Sequence, residues 1–94
     1  MFLKGKTALI TGSTSGIGLG VARAMAAAGA NVVMNGFGEA SAIEALRTDI
    51  ASQHGVTVVY DPADMTQPAQ IESMIERAIG RFGAVDVLVN NAGI

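Results

Sequence analysis

The chain contains 94 residues, half of them apolar, with a formal net charge of −2 and no cysteine. This composition argues against an intrinsically disordered chain and excludes disulfide bonds and thiolate metal sites. The six Lys and Arg residues are scattered, which argues against a nucleic-acid partner, and no apolar run reaches the roughly 18 residues of a membrane span. The first residues, MFLKGKTALI, do not form a signal-peptide pattern, so we expect a cytoplasmic protein without a membrane partner.

Short apolar runs alternate with segments of helical periodicity along the whole chain. The predicted elements, in chain order, are a strand over 7–10, a helix over 17–28, a strand over 31–35, a helix that Ser41 caps and that ends near His54, a strand over 56–60, a helix that Thr66 caps and that Gly83 ends, and a strand over 85–89.

The helical periodicity also predicts which faces are buried. The first helix is expected to bury the face formed by Ile17, Val21, Ala24, Met25 and Ala28. The third helix carries a stronger stripe, formed by Ile71, Met74, Ile75, Ala78, Ile79 and Phe82.

Alternation of strands and helices favours parallel strands joined by right-handed crossovers. The strands are apolar throughout, as in sheets that are covered on both faces. We therefore predict an α/β fold, a Rossmann-type doubly wound parallel sheet with strand order 3-2-1-4. Its last strand would form an apolar edge that proteins usually cover, so residues 1–94 are expected to be the N-terminal part of a single dinucleotide-binding domain.

Ligands of open parallel sheets bind beyond the carboxyl ends of the strands, where the strand order reverses. The segments that follow the four predicted strands are 12–18, 35–38, 61–66 and 90–94, and they are rich in Gly, Asn, Asp, Ser and Thr. This enrichment suits a polar ligand, although loops also need these residues for their turns.

The first of these segments has glycines at 12, 16 and 18, directly between a strand and a helix. Gly12 can make the sharp exit from the strand, Gly16 allows the backbone to approach a ligand, and Gly18 permits close packing. The helix start offers N–H groups and a positive dipole end to a pyrophosphate. The Gly-Lys-Ser/Thr ending of nucleoside-triphosphatase loops is missing. A dinucleotide site is therefore predicted, with a plain tight turn as the alternative.

The residues around the second strand indicate which dinucleotide binds. A 2′-phosphate needs Lys or Arg beside the ribose, but Ser15 and Phe37 occupy those places, so NAD is preferred to NADP. Phe37 is expected either against the adenosine or in the core. Glu39 is interpreted as a carboxylate at the start of the second helix rather than as a ribose ligand.

Polar residues that follow the third strand are candidates for the adenine end. Asp64 can accept a hydrogen bond from the adenine amino group, with the Met65 backbone beside it, or it can cap the third helix together with Thr66. We predict no metal site from Asp61 and Asp64, because no histidine is near them, and we interpret His54 as a charge at a helix end.

Together these segments resemble the short-chain dehydrogenase/reductase family. The resemblance rests on TGSTSGIG at 11–18, DMT at 64–66, NNAG at 90–93 and the lead-in at 82–89, and it runs through essentially the whole chain. It implies an NAD-dependent oxidoreductase that transfers a hydride to or from a secondary alcohol. The cofactor-binding residues that it implies are Gly12, Thr14, Ser15, Gly16, Ile17, Gly18, Phe37, Asp64, Met65, Asn90, Asn91 and Gly93.

Within the family, segments 12–20, 35–38 and 54–64 resemble the bacterial D-3-hydroxybutyrate dehydrogenases, which implies 3-hydroxybutyrate as substrate and a homotetramer. An acyl-carrier-protein ketoreductase is the close alternative, and a non-catalytic dinucleotide-binding module and an S-adenosylmethionine methyltransferase are the others. The family's catalytic Asn, Ser and Tyr-x-x-x-Lys follow NNAG. Since Tyr60 is the only tyrosine and has no lysine four residues later, no catalytic residue is predicted in these 94 residues, which are expected to be inactive alone.

Overall fold

In the computed structural model, which describes residues 2–91, four parallel strands form one sheet. They are β1 (Thr7–Ile10), β2 (Asn31–Asn35), β3 (Val58–Asp61) and β4 (Val87–Val89). Their order in the sheet is β3-β2-β1-β4, which confirms the predicted order. The strand order reverses between β1 and β4, so the carboxyl end of β1 lies at the switch point.

Three helices connect the strands: α1 (Gly16–Ala27), α2 (Ala40–His54) and α3 (Pro68–Phe82). Helices α2 and α3 end at Gly55 and Gly83, whose φ angles of 65° and 87° require the left-handed conformation that glycine adopts without strain. The predicted bounds of β1 and β2 are confirmed, whereas β3 and β4 begin two residues later than predicted.

Two of the predicted helix caps are wrong. Ser41 does not cap α2, because the Glu39 side chain accepts hydrogen bonds from the N–H groups of Ser41 and Ala42. The interpretation of Glu39 as a helix-start carboxylate is confirmed. Thr66 does not cap α3, since Gln67 is the N-cap residue and its side chain makes no capping hydrogen bond.

The sheet separates two apolar layers because successive strand residues point to opposite faces. Alternate residues of β1 and β2 (Ala8, Ile10, Val32 and Met34) pack with residues of α1 and α2. Leu9 and Val33 face the other way and pack with Met74 and Ala78 of α3. The fold is therefore a three-layer sandwich, with the sheet between α3 on one face and α1 and α2 on the other.

The predicted buried face of α1 is confirmed only in part, since Val21 and Met25 are half-buried and pack against the core. The buried residues of the helix are Gly18, Ala22 and Ala26, while Ile17 is 78% exposed. The helix lies close to the sheet, so the residues that face the sheet are the smallest ones rather than the most apolar. In α3 the predicted stripe is confirmed at its centre, by buried Met74 and Ala78, but it is wrong at Ile79, which is 45% exposed.

The two outer strands differ in how their edges are protected. Beside β3, the Arg47 Nη1 atom donates a 2.9 Å hydrogen bond to the Val58 carbonyl, and the same guanidinium pairs with Glu44. Leu88 of β4 is 57% exposed. Within residues 2–91, none of the helices combines the length and apolarity that a membrane span requires.

Candidate functional site

A groove of about 330 Å³ lies at the carboxyl ends of β1, β2 and β3. Its volume falls within the range of about 300–1,000 Å³ that is typical of small-molecule sites. Three loops line it, and they bring together six of the predicted site residues, which are Gly12, Thr14, Ser15, Phe37, Asp64 and Met65.

The glycine loop between β1 and α1 has the conformation that its glycines allow. Gly12 and Gly16 have φ angles of 62° and 58°, in the left-handed region. A Cβ atom on Gly18 would lie 2.1 Å from the Gly12 carbonyl oxygen and 2.7 Å from Asn91 Nδ2, so only glycine fits there. A Cβ atom on Gly16 would meet nothing within 4 Å, so the backbone at Gly16 faces open space.

The start of α1 is left open by its own side chains. Ser15 is the N-cap residue, with extended backbone angles, yet its side chain makes no capping hydrogen bond. The first turn contains no acidic residue. The helix begins directly after Ser15, which lines the groove, and its N–H groups and positive dipole end meet no internal anion there. Anionic ligands bind at helix starts of this kind.

The loop after β2 is tied to the glycine loop. Thr14 Oγ1 donates a 2.7 Å hydrogen bond to the Phe37 carbonyl, and the Tyr60 hydroxyl donates to the Gly36 carbonyl. Gly36 has a φ of 147°, and a Cβ atom there would lie 2.7 Å from Thr14 Oγ1. These contacts present the Phe37 ring at the groove, where it is 77% exposed, so its alternative placement in the core is wrong.

The loop after β3 is organised by Asp64. Its Oδ1 atom accepts hydrogen bonds from the backbone N–H of Thr66 at 2.9 Å and from the Thr66 hydroxyl at 2.7 Å. The backbone bond, and then the hydroxyl bond, lowers the pKa of the Asp64 carboxyl. Asp64 and Thr66 thus form a turn before α3 rather than its cap. The Asp64 N–H is held by Gln70 Oε1 at 2.9 Å.

The end of β4 contacts the glycine loop directly. The Asn91 N–H donates to Thr11 Oγ1 at 2.9 Å, and Asn91 Nδ2 donates to the Gly12 carbonyl at 3.2 Å. Thr11 Oγ1 also lies 3.3 Å from Asn90 Oδ1. The predicted residues Asn90 and Asn91 therefore buttress the loop across the switch point, while the predicted Gly93 lies outside the described residues.

The remaining candidates lie away from the groove or are already paired. Arg77 makes two hydrogen bonds to the Asp61 carboxylate, with Nε–Oδ2 and Nη2–Oδ1 distances of 2.8 and 2.9 Å. His54 is in the last turn of α2, as predicted. Among residues 2–91, no three His, Asp or Glu side chains are grouped in a way that could hold a metal ion.

The sequence analysis placed Ser13, Asn35 and Gly36 in the ligand-edge segments 12–18 and 35–38 but gave none of them an individual role. Ser13 and Asn35 are almost completely buried behind the groove, and Gly36 is held against Thr14. The signal that could have found Asn35 is its type, since a polar residue ends an otherwise apolar strand at the ligand-binding edge.

The profile of the short chain dehydrogenase family matches residues 6–94. The chain belongs to the short-chain dehydrogenase family. Its strand order and the glycine loop at the switch point agree with that membership.

Curated relatives of this chain include two proteins that are named D-beta-hydroxybutyrate dehydrogenase. The protein of Cupriavidus necator is 57% identical over 93 residues, covering 98% of this chain and 35% of the relative. The protein of Rhizobium meliloti is 53% identical over 89 residues, covering 95% of this chain and 34% of the relative. A 3-oxoacyl-acyl-carrier-protein reductase of Escherichia coli is 42% identical over 94 residues, covering 100% of this chain and 36% of the relative.

A solved structure with the same fold is that of a blue fluorescent protein from a metagenomic library in complex with NADPH. It has a TM-score of 0.89 and 39% sequence identity, and the match covers 100% of this chain and 38% of that one. This chain thus spans about a third of the length of the relatives that it matches.

Proposed function

We propose that the chain is the cofactor-binding part of an NAD-dependent dehydrogenase that interconverts 3-hydroxybutyrate and acetoacetate. The observation that carries the proposal is the meeting of three loops around one groove, at which α1 begins without a capping side chain. On this proposal residues 1–94 are the N-terminal part of one larger dinucleotide-binding domain.

The described residues fit a dinucleotide. The backbone at Gly16 faces open space beside an uncapped helix start, which suits a pyrophosphate, and Asp64 supplies a carboxylate acceptor at the other side of the groove. The loop residues Gly12 to Gly18 would hold the pyrophosphate, Phe37 the adenosine ribose, and Asp64 with Met65 the adenine. When bound, the nicotinamide supplies or accepts the hydride.

The charges around the groove favour NAD over NADP. Ser15 and Phe37, which line the groove, carry no positive charge for a 2′-phosphate. The nearest basic residues in the sequence are engaged elsewhere, since Arg23 pairs with Asp49 at 3.1 Å and Arg47 pairs with Glu44. The metagenomic blue fluorescent protein, 39% identical to this chain, was solved in complex with NADPH, so the experiment includes both cofactors.

The proposed substrate rests on the relatives. The Cupriavidus necator and Rhizobium meliloti relatives, at 57% and 53% identity, are named D-beta-hydroxybutyrate dehydrogenase, whereas the acyl-carrier-protein reductase is 42% identical. Tyr60, the only tyrosine in the sequence, donates its hydroxyl to the Gly36 carbonyl, so we do not assign it the role of acid or base for the substrate oxygen. We assign the proton transfer to residues outside the 94. The family resemblance further implies a cytoplasmic location and a homotetramer. Light scattering by the full-length gene product tests the tetramer.

The decisive experiment measures the reduction of NAD to NADH, and separately of NADP to NADPH, by the full-length gene product with each enantiomer of 3-hydroxybutyrate. We expect turnover of one enantiomer with NAD, and none by residues 1–94 alone. Reduction of acetoacetyl thioesters with NADPH, and no reaction of 3-hydroxybutyrate, would instead identify the ketoreductase alternative. Dinucleotide binding without turnover by the full-length protein would identify a binding module.

A substitution tests the cofactor preference. Ser15→Arg places a guanidinium beside the groove and is expected to improve the kcat/KM ratio of NADP to NAD by about tenfold. Ser41→Arg, on the exposed start of α2, is the matched control and should leave the ratio unchanged. An unchanged ratio in Ser15→Arg would contradict the assignment of Ser15 to the ribose side.

A further inference from the structure

The buried side chain of Asn35 joins two loops of the groove from behind. Its Nδ2 group donates to the carbonyl oxygen of Asp61 at 3.0 Å and to that of Ala63 at 2.9 Å. Asn35 is 1% exposed, so no water replaces these bonds. A single amide NH2 group thus satisfies two buried carbonyls on the turn that leads into Asp64 and Met65.

The backbone of the same residue holds the glycine loop. The Ser13 N–H donates to the Asn35 carbonyl at 2.6 Å. The Ser13 hydroxyl accepts from the Asn35 N–H at 3.0 Å and lies 3.2 Å from the Asn35 carbonyl, to which it donates. Asn35 is therefore bonded on one side to the loop after β1 and on the other side to the loop after β3.

A second contact fixes the far side of the β3 turn. Asp61 Oδ1 accepts from the Ala63 N–H at 3.0 Å, and the Arg77 guanidinium holds both carboxylate oxygens from α3. The turn over 61–63 is thus held by Asn35 from inside the sheet and by Arg77 from the surface, where 57% of the Arg77 side chain is exposed.

We propose that Asn35 is a positioning residue for the dinucleotide, because it fixes the distance between the glycine loop and the loop that carries Asp64 and Met65. The inference rests on the proposed function, since those two loops are assigned to the two ends of the same ligand. A ligand that spans both loops needs the correct spacing, whereas a ligand that touches one loop does not. Only a donor of two N–H groups can serve both carbonyls, so neither Asp nor Leu replaces Asn35.

The test compares a spanning ligand with a short one in the full-length gene product. ADP-ribose covers both the adenine loop and the pyrophosphate loop, and adenosine covers the adenine loop alone. Competition against NADH fluorescence gives the dissociation constant of each ligand. Asn35→Leu is expected to weaken ADP-ribose binding by about tenfold, while adenosine binding changes by less than about threefold.

The matched control is Val32→Ala, in the same strand. Val32 is fully buried but packs in the layer of α1 and α2, so its truncation costs stability without touching the two loops. It should leave the affinity ratio of ADP-ribose to adenosine at the wild-type value. Equal ratios for wild type, Asn35→Leu and Val32→Ala would overturn the proposal and assign Asn35 a purely structural role.

A surface variant keeps the test decisive should Asn35→Leu fail to fold. Arg77→Gln removes the outer contact of the turn and is expected to weaken ADP-ribose binding about threefold, while Arg81→Gln, one turn later on α3, should have no effect. The same loss in both variants, or in neither, would overturn the proposal. Absence of ADP-ribose and NADH binding by the wild type would instead contradict the proposed function itself.

Discussion

The starts of α1 and α2 lie on the same edge of the sheet, after β1 and β2, yet their N–H groups meet different partners. At α2, the Glu39 carboxylate accepts from Ser41 and Ala42 at 3.2 and 3.0 Å, so the helix start is closed by the chain itself. At α1, Ser15 makes no side-chain cap and the first turn has no acid. Because an internal anion and a ligand anion compete for the same N–H groups, of these two helices α1 is the one left as an anion site.

The largest effect on stability is expected from a side chain placed between α1 and the glycine loop. Gly18→Ala would place Cβ 2.1 Å from the Gly12 carbonyl, a backbone atom, and should cost about 3 kcal/mol of stability and displace the glycine loop. Gly20→Ala in the same helix meets nothing within 4 Å and should raise stability by up to about 1 kcal/mol. Urea unfolding measures both, and equal stability of the two variants would contradict the close packing of α1.

A second variant gives α1 the arrangement that α2 has. Ser15→Asp adds an N-cap carboxylate, which should stabilise the helix but repel a pyrophosphate and weaken NADH binding by at least about tenfold. Ser15→Asn caps the helix without a charge and is the control, with a smaller loss of affinity. Fluorescence titration with NADH measures both, and unchanged binding by Ser15→Asp would disprove the pyrophosphate site at α1.

Removing the Glu39 cap from the start of α2 is expected to have a smaller effect, and on stability alone. Glu39→Ala removes the acceptor of the Ser41 and Ala42 N–H groups, so the midpoint of urea unfolding should fall. NADH affinity should not change, because Glu39 caps α2 and does not line the groove. If NADH affinity fell by more than the unfolded fraction of the variant accounts for, Glu39 would be assigned to the ribose instead.

The smallest effect concerns pH. Hydrogen bonds from the Ser41 hydroxyl, and then from the Ser41 and Ala42 N–H groups, lower the pKa of Glu39 from its ordinary value of 4.5. Since the pKa is lower in the folded state, this stabilisation is complete above the unfolded pKa and is lost as the pH falls through the folded one. NMR titration of the carboxyl should show that Ser41→Ala raises the pKa of Glu39 while Ser52→Ala, later in α2, does not.

Local patterns predicted the fold well. Strands β1 and β2 have the predicted bounds, because each is an apolar run that ends at a ligand-edge loop with its own glycines. The glycine loop was recognisable for the same reason, since its three glycines lie between a strand and a helix. These features depend on neighbours in the sequence, which periodicity and spacing describe directly.

Features that depend on distance in space were not predictable. The buried face of α1 was predicted only in part because periodicity ranks Ile17 above Gly18, whereas the close sheet selects the smaller residue. The bonds of Asn35 to Ser13, Asp61 and Ala63 join residues that are 22 to 28 positions apart. Nothing in the sequence around Asn35 specifies those partners, because they depend on how three loops converge at the sheet edge.

Arg47 has a consequence for how the sheet meets other molecules. An outer strand with free carbonyl groups is a template on which a strand of another chain can assemble. By donating to the Val58 carbonyl from α2, Arg47 occupies part of that template on β3 and places a charge beside it. Strand addition is therefore disfavoured where Arg47 covers β3, a protection for which β4 has no counterpart among the contacts described above.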